Sequence, residues 1–196
     1  MSLLARLTER SWEPATDRDD EHDRPSAGAV GLSVYAAVAC VMFSLLVAAY
    51  MMRMGLHSAM GHVNDWVPMP DPPLLWINSA VLAGSSIAWE IARRADKRDR
   101  AVQASMAGAA LGLCFLTGQW LLWRHYQAAG YYLSANPANA FFYLLTALHA
   151  LHIIGGLVAA GWALVGRNLH HIRLCALYWH FLLLIWVLLA GLLVST

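Results

Sequence analysis

Five long stretches of the sequence contain no aspartate, glutamate, lysine or arginine: residues 25–52, 72–89, 101–123, 125–166 and 174–196. A bilayer core of about 30 Å is crossed by roughly 20 apolar residues in a helix, so four stretches each suit one span. The fourth stretch is too long for one helix, and Gly130 and the run Asn136-Pro137-Ala138-Asn139 are typical of turns. We therefore predict an all-α membrane protein with five transmembrane helices, at about 28–52, 74–92, 101–123, 141–165 and 174–195.

The composition excludes other classes of protein. The hydrophobic set makes up 59% of the residues and the charged set 13%, against roughly 45–50% and about 25% for a soluble domain. The 13 basic and 12 acidic residues nearly cancel, so the chain has no basic field for nucleic acid. We predict one membrane domain, residues 28–196, preceded by a tail of residues 1–27.

The basic residues predict the orientation, because lysine and arginine near the ends of spans stay on the cytoplasmic side. Eleven of the 13 fall on one side: Arg6, Arg10, Arg18, Arg24, Arg93, Arg94, Lys97, Arg98, Arg100, Arg167 and Arg173. We therefore expect a cytoplasmic amino terminus and a periplasmic carboxyl terminus. The excess of arginine over lysine, with many alanines and glycines, suggests a bacterial genome, and hence the bacterial inner membrane.

The tail is rich in acids and has no uninterrupted apolar run. It therefore lacks the apolar core that a secretory signal needs. Its acids are Glu9, Glu13, Asp17, Asp19, Asp20, Glu21 and Asp23. Two interpretations stay open at this point. The tail is solvated and disordered or lies on a neighbour, or the segment from Asp17 to Asp23 docks on a basic partner surface.

Polar side chains are costly inside a membrane and need partners. The candidates for structural or lipid-contacting roles are Asn78, Gln119, Thr146, His149, His152, Trp179 and His180. The first two histidines are three residues apart and share a helix face. With His180 they could ligate a haem or a metal. As neutral imidazoles, they would instead hydrogen-bond between the fourth and fifth helices or to lipid headgroups.

Glu90 is the sole acid within any predicted span, and Arg93 and Arg94 follow it at i+3 and i+4. We predict an interfacial ion pair here, because a proton relay needs a chain of titratable groups across the bilayer. The three cysteines form no C-x-x-C motif and no Cys/His cluster, so we expect no metal in this chain.

Small and aromatic residues predict how the helices meet. Ala80, Gly84 and Ala88, and also Gly108 and Gly112, recur at four-residue spacing, which predicts close helix neighbours for the second and third spans. Tryptophans and tyrosines gather near the predicted span ends, as an aromatic belt would. This set is Tyr50, Trp66, Trp76, Trp89, Trp123, Tyr131, Tyr132, Tyr178 and Trp179.

Two segments carry a family resemblance. The run from Phe142 to Gly156, FYLLTALHALHIIGG, resembles the F-x-x-x-T-G-x-H-G-x-H-x-x-G segment of subunit III of haem–copper terminal oxidases. The fifth span, with Tyr178-Trp179-His180-Phe181 and then Ile185-Trp186, resembles that family's Y-W-H-F-V-D-x-x-W segment. Weaker similarities lie at Gly31-Leu32, Cys40 through Tyr50, Leu74-Leu75, Asn78-Ser79 and Gln119.

The resemblance covers about residues 28–195 and implies the five-helix bacterial form of subunit III of a cytochrome c or quinol oxidase. It implies a V-shaped bundle in which the first two helices diverge from the last three and lipid fills the cleft. By the same implication, the chain has no catalytic centre and binds no haem or copper. It binds phospholipid and packs on catalytic subunit I, which holds the haem and copper of a complex that reduces oxygen to water and translocates protons.

The sequence departs from the family at three buried acids, whose positions match Ala39, Leu122 and Leu183. These departures indicate a divergent branch. Two alternatives therefore stay open: a subunit III-like accessory protein of a nitric oxide reductase, and a haem b or quinone-reactive anchor using His149, His152 and His180.

Overall fold

A computed structural model of the chain describes residues 26–60, 73–166 and 168–195. The regular elements in these ranges are five α-helices: α1 (Ala27–Met60), α2 (Pro73–Arg94), α3 (Arg98–Ala128), α4 (Pro137–Gly166) and α5 (Leu169–Ser195). Each contains a stretch long and apolar enough to cross a membrane. The prediction of an all-α protein with five transmembrane helices is confirmed. The prediction for the acidic tail lies outside the described residues, apart from the last two of its positions.

The α4 and α5 helices begin before the predicted spans because asparagine side chains cap them beyond the apolar stretches. The run predicted as a break before the fourth span instead begins α4. The Asn136 Oδ1 atom accepts hydrogen bonds from the backbone N–H groups of Ala138 at 2.6 Å and Asn139 at 3.2 Å. Pro137 occupies the first turn, where its missing N–H costs no hydrogen bond. The α5 helix begins at Leu169 rather than 174, and Asn168 accepts a hydrogen bond from the His170 N–H at 2.9 Å.

The packing differs from the expected division into two helices and three. The most extensive contact joins α2 to α3, and α2 also packs along α5, which packs on α4. The α1 helix contacts only α4 and α5 within the described residues. The α5 helix is therefore central among the described helices, because it contacts all four others, and α1 alone lies at the side of a four-helix bundle. Leu82 and Trp89 of α2 are fully buried in this bundle.

Glycines on α3 explain the close approach of its neighbours. A Cβ atom added at Gly108 would lie 2.7 Å from the Trp89 ring, and one added at Gly112 would lie 2.8 Å from the Trp179 ring. The close helix neighbours predicted for α2 and α3 are confirmed. The prediction that Trp89 and Trp179 belong to an aromatic belt is wrong. Both side chains are fully buried, because each indole fills the space over a glycine.

Candidate functional site

A buried serine joins three helices in the half of the bundle near the end of α2. The Ser85 hydroxyl donates to the backbone carbonyl of Gly108 on α3 at 2.6 Å and accepts from the Trp179 Nε1–H on α5 at 2.6 Å. Trp179 also packs on Trp89, with ring centroids 5.0 Å apart. We call this set, Ser85, Trp89, Gly108 and Trp179, the Ser85 network. Its two hydrogen bonds satisfy the Ser85 hydroxyl and the Trp179 indole, which lipid could not do, whereas the Trp89 indole nitrogen has no partner among the described residues.

A charged group lies one turn further along α2, and we call it the Glu90 cluster: Ser86, Glu90, Arg93, Arg94 and His180. Arg93 donates to both Glu90 oxygens at 2.7 Å, and Arg94 also donates to the carboxylate. His180 Nε2 donates to Glu90 Oε2 at 3.0 Å. A carboxylate only accepts, so this nitrogen carries a proton. In a neutral ring, Nδ1 then accepts from the Ser86 hydroxyl, 2.6 Å away.

All members of the Glu90 cluster except Arg93 line a cavity of about 510 Å³ on the outer face of α2 and α5. Its other lining residues are Ala83, Ile87, Ile91 and Leu183. Leu183 stands where the resemblance places an acid beside the Y-W-H-F segment. A carboxylate is thus present beside His180 in this chain, but α2 supplies it instead of α5.

Polar contacts further from the end of α2 join α2 to α3 and α5. The buried Asn78 amide donates to Gln119 Oε1 at 3.3 Å. The Trp186 indole donates to the Ser79 hydroxyl at 2.9 Å. Between α3 and α4, the Trp123 indole donates to the Thr146 hydroxyl at 3.1 Å. All three pairs therefore join helices of the four-helix bundle.

The two histidines of α4 lie in an aromatic environment. His149 is fully buried, packs on Phe115 and Trp186, and has no hydrogen-bond partner at either ring nitrogen. His152 Nδ1 donates to the Leu148 carbonyl of its own helix at 2.7 Å, and its ring lies 5.3 Å from that of Phe43 on α1. These side chains fill space between helices.

The structure brings some of the predicted residues together and separates others. Glu90, Arg93, Arg94 and His180 meet in one cluster, and Asn78 meets Gln119. The expectation that His180 bonds to the fourth helix is wrong, because α2 lies against this face of α5 and supplies both partners. His149 is too deeply buried to reach a lipid headgroup.

The sequence marked Ser85 and Ser86 as polar residues inside the second span, but it did not predict the pairing of serines with tryptophans. Ser79 and Ser85 each accept a hydrogen bond from an α5 indole. The seven-residue separation of Trp179 and Trp186 puts both tryptophans near one face of α5, whereas the six-residue separation of Ser79 and Ser85 leaves the serines roughly 120° apart around α2. The tryptophan spacing was a usable signal, although it does not say which helix that face meets.

Nothing in the described part of the chain forms a group of three or more His, Cys, Asp or Glu residues that could hold a metal ion. The three spanning histidines do not converge. His180 turns to α2, whereas His149 packs between Phe115 and Trp186. The arrangement is one of helix packing with satisfied polar pairs.

Comparison with known proteins decides the family. A family model described as "Cytochrome c oxidase subunit III" matches residues 29–194, which includes nearly all of the described helices. The chain belongs to the cytochrome c oxidase subunit III family. The resemblance given by the sequence motifs is confirmed.

Relatives of this family cover the chain almost end to end. "Cytochrome c oxidase subunit 3" of Thermostichus vulcanus is 31% identical over 190 residues, covering 89% of this chain and 90% of that protein. "Cytochrome bo(3) ubiquinol oxidase subunit 3" of Pseudomonas aeruginosa is 26% identical over 189 residues, covering 89% and 88%. Membership of the subunit III family, with five membrane-spanning helices, identifies a bacterial membrane protein with a subunit III role in a haem–copper oxidase.

Proposed function

We propose that this chain is the non-catalytic subunit III of a bacterial haem–copper respiratory oxidase, where it stabilises catalytic subunit I and binds phospholipid. The complex would reduce oxygen to water with proton translocation, using electrons from cytochrome c or quinol, and its haem and copper would lie in the partner. The observation that carries this proposal is the family match over residues 29–194.

The polar contacts support a structural role. The side chains of Ser85, Trp179 and His180 are engaged between helices. Ser85 and Trp179 are buried in the interior of the bundle, whereas His180 lines the cavity on the outer face of α2 and α5. The separation of His149 from His180 by the aromatic core favours this role over a haem b anchor, which needs two histidines facing one iron.

The surface of α1 supports contact with lipid or subunit I. The side chains of Val34, Val38, Val41 and Leu45 are 60–66% exposed. An apolar groove of about 720 Å³ runs between this helix and Leu148 of α4. Apolar surface of this extent suits acyl chains or the apolar face of another membrane subunit.

The positions of the helix ends support the proposed orientation. Ser26, before α1, lies 3.1 Å from His170 at the start of α5, so these two ends share one side. The connection from α2 to α3 lies on that side, because Ala92 and Ala101 pack with Ile172 of α5. Exposed basic residues concentrate there, which is typical of the cytoplasmic side.

Purification of the affinity-tagged chain from native membranes tests this function. We expect a larger subunit with haem and copper to copurify, and the chain purified alone to show no Soret absorption. Stoichiometric haem in the isolated chain, or a partner without oxygen-reducing activity, would contradict the proposal.

A matched pair of variants tests the α1 groove. Val38→Trp places a bulky ring in the groove, whereas Leu184→Trp places one on an exposed position of α5 outside it. We expect only the first to reduce the recovery of subunit I or the phospholipid content per complex. Equal recovery for both variants would mean that the groove is not a contact.

A further inference from the structure

The acidic segment of the tail, residues 17–23, has five acids and one arginine, so its net charge is −4 with histidine neutral. Two residues, Arg24 and Pro25, separate its last residue from Ser26, where the described part of the chain begins. A segment of this charge is repelled by an anionic cytoplasmic leaflet and attracted by nearby basic side chains. The position of Ser26 therefore decides which basic side chains the acidic segment can reach.

Five exposed basic residues lie at this end of the bundle within the described part of the chain, and we call them the basic surface: Arg94, Lys97, Arg98, Arg100 and Arg173. Arg94 contributes to the Glu90 cluster, but its side chain is still 74% exposed. From residue 90 to residue 100 the chain has five basic and three acidic residues. The surface therefore keeps an excess of positive charge after its local pairs are counted.

The contacts place the acidic segment near this surface. Ser26 lies against His170, and the first turns of α5 pack on the connection between α2 and α3 through Ile172, Ala92 and Ala101. Ser26 and that connection are thus on opposite sides of one helix, about 10–12 Å across. An extended chain covers roughly 3.3–3.6 Å per residue. Asp23 can therefore reach roughly 10 Å from Ser26, and Asp17 roughly 30 Å.

We propose that residues 17–23 dock on the basic surface of the same chain. The tether keeps the segment at a local concentration on the order of millimolar, which makes weak ion pairs sufficient for occupancy. Charge complementarity selects this site over the anionic membrane surface. The occupied surface is then withheld from acidic lipid headgroups and from acidic partner segments. This inference concerns the cytoplasmic end of the chain and does not depend on the catalytic partner.

Zero-length cross-linking tests the docking, because Lys97 is the sole lysine in the sequence. A water-soluble carbodiimide converts a carboxyl group into an O-acylisourea. The Lys97 amine attacks its acyl carbon, so that an amide bond forms and the urea leaves. The reaction is run on native membranes that contain the full chain, followed by proteolysis and mass spectrometry. We expect a peptide from residues 17–24 joined to the peptide that contains Lys97.

Salt and charge variants separate docking from random encounter. The Debye length falls from about 30 Å at 0.01 M to about 3 Å at 1 M salt, so we expect the yield to fall at least about threefold. Asp19→Asn, Asp20→Asn and Glu21→Gln together change the segment charge from −4 to −1 and should lower the yield at the two remaining acids. Glu9→Gln with Glu13→Gln is the matched control and should leave it unchanged. Lys97→Arg keeps the charge and must abolish the cross-link.

Three results would overturn the proposal. One is that Lys97 couples only to Asp96 or Asp99, which lie in its own connection. This result would show that the lysine is reactive but that the acidic segment does not lie near it. A second is coupling to another polypeptide in place of the tail. The third is a yield that salt and the triple neutral variant leave unchanged.

Discussion

Ser85→Ala should destabilise the helix bundle more than the removal of any serine that bonds only within its own helix. The substitution removes two interhelical hydrogen bonds, to Gly108 and Trp179, each 2.6 Å long. Interhelical hydrogen bonds in membranes contribute on average about 0.6 kcal/mol and at most roughly 1.7 kcal/mol each. The buried Trp179 N–H also loses its partner, so we expect a loss of about 1–3 kcal/mol in the free energy of unfolding.

The chain offers a matched control in Ser105, which is as fully buried as Ser85 and lies on the facing helix. Its hydroxyl donates only to the Ala101 carbonyl of its own helix, at 2.8 Å. Ser105→Ala loses that local bond but gains helix propensity, so we expect a change within about 0.5 kcal/mol.

Unfolding in mixed micelles with increasing dodecyl sulfate, followed by tryptophan fluorescence, measures both variants. The double variant Ser85→Ala with Trp179→Phe removes donor and acceptor together, so its cost should be less than the sum of the two single costs. Equal losses for Ser85→Ala and Ser105→Ala, or strictly additive costs in the double variant, would refute the reasoning.

Three further predictions use the same bundle. Gly108→Ala should lower the free energy of unfolding by about 1–3 kcal/mol, because its Cβ would lie 2.7 Å from the Trp89 ring. Gly84→Ala is the control, since its Cβ would lie 3.8 Å from the Leu111 side chain, and it should be neutral or stabilising. His149→Phe should unfold at the same or a higher dodecyl sulfate concentration, because the buried imidazole nitrogens have no hydrogen-bond partner. It should also leave initial oxidase turnover intact. A large loss of stability would indicate that His149 has a polar partner. A hydrophobic carbodiimide should label no acid in the interiors of the described helices, because Glu90 is held as a carboxylate by two arginines and Asp99, the other acid of these helices, is exposed in the first turn of α3. A labelled Glu90 found by mass spectrometry would mean that it is protonated in the membrane.

The charge-free stretches predicted the number and type of the helices because lipid admits no other spanning structure for such a chain. The same reasoning placed several helix ends wrongly. Asn136 and Asn168 cap helices beyond the apolar residues, and a hydropathy pattern treats asparagine and proline as breaks. The ends of helices are set by local hydrogen bonds, which hydropathy does not detect.

The partners of the polar residues were harder to predict. Arg93 and Arg94 follow Glu90 on one helix, so their pairing is visible in the spacing. The bond from His180 to Glu90 depends on α5 lying against α2, and nothing in the local sequence fixes that neighbour. The expected separation of two helices from three failed for the same reason, since the serines of α2 and the glycines of α3 join α2 to α3 and α5 and not to α1.

The packing of α1 has a consequence for biosynthesis. This helix is made first, yet its neighbours in the described structure are α4 and α5, which are made last. Translation from Met60 to Ser195 takes about 7–27 s at roughly 5–20 residues per second. During that interval α1 stands in the bilayer without its final partners, while α2 and α3 can already pair. Insertion factors or lipid must therefore hold α1 until α5 leaves the ribosome, and a chain truncated before α5 would leave α1 with α4 as its one remaining neighbour among the described helices.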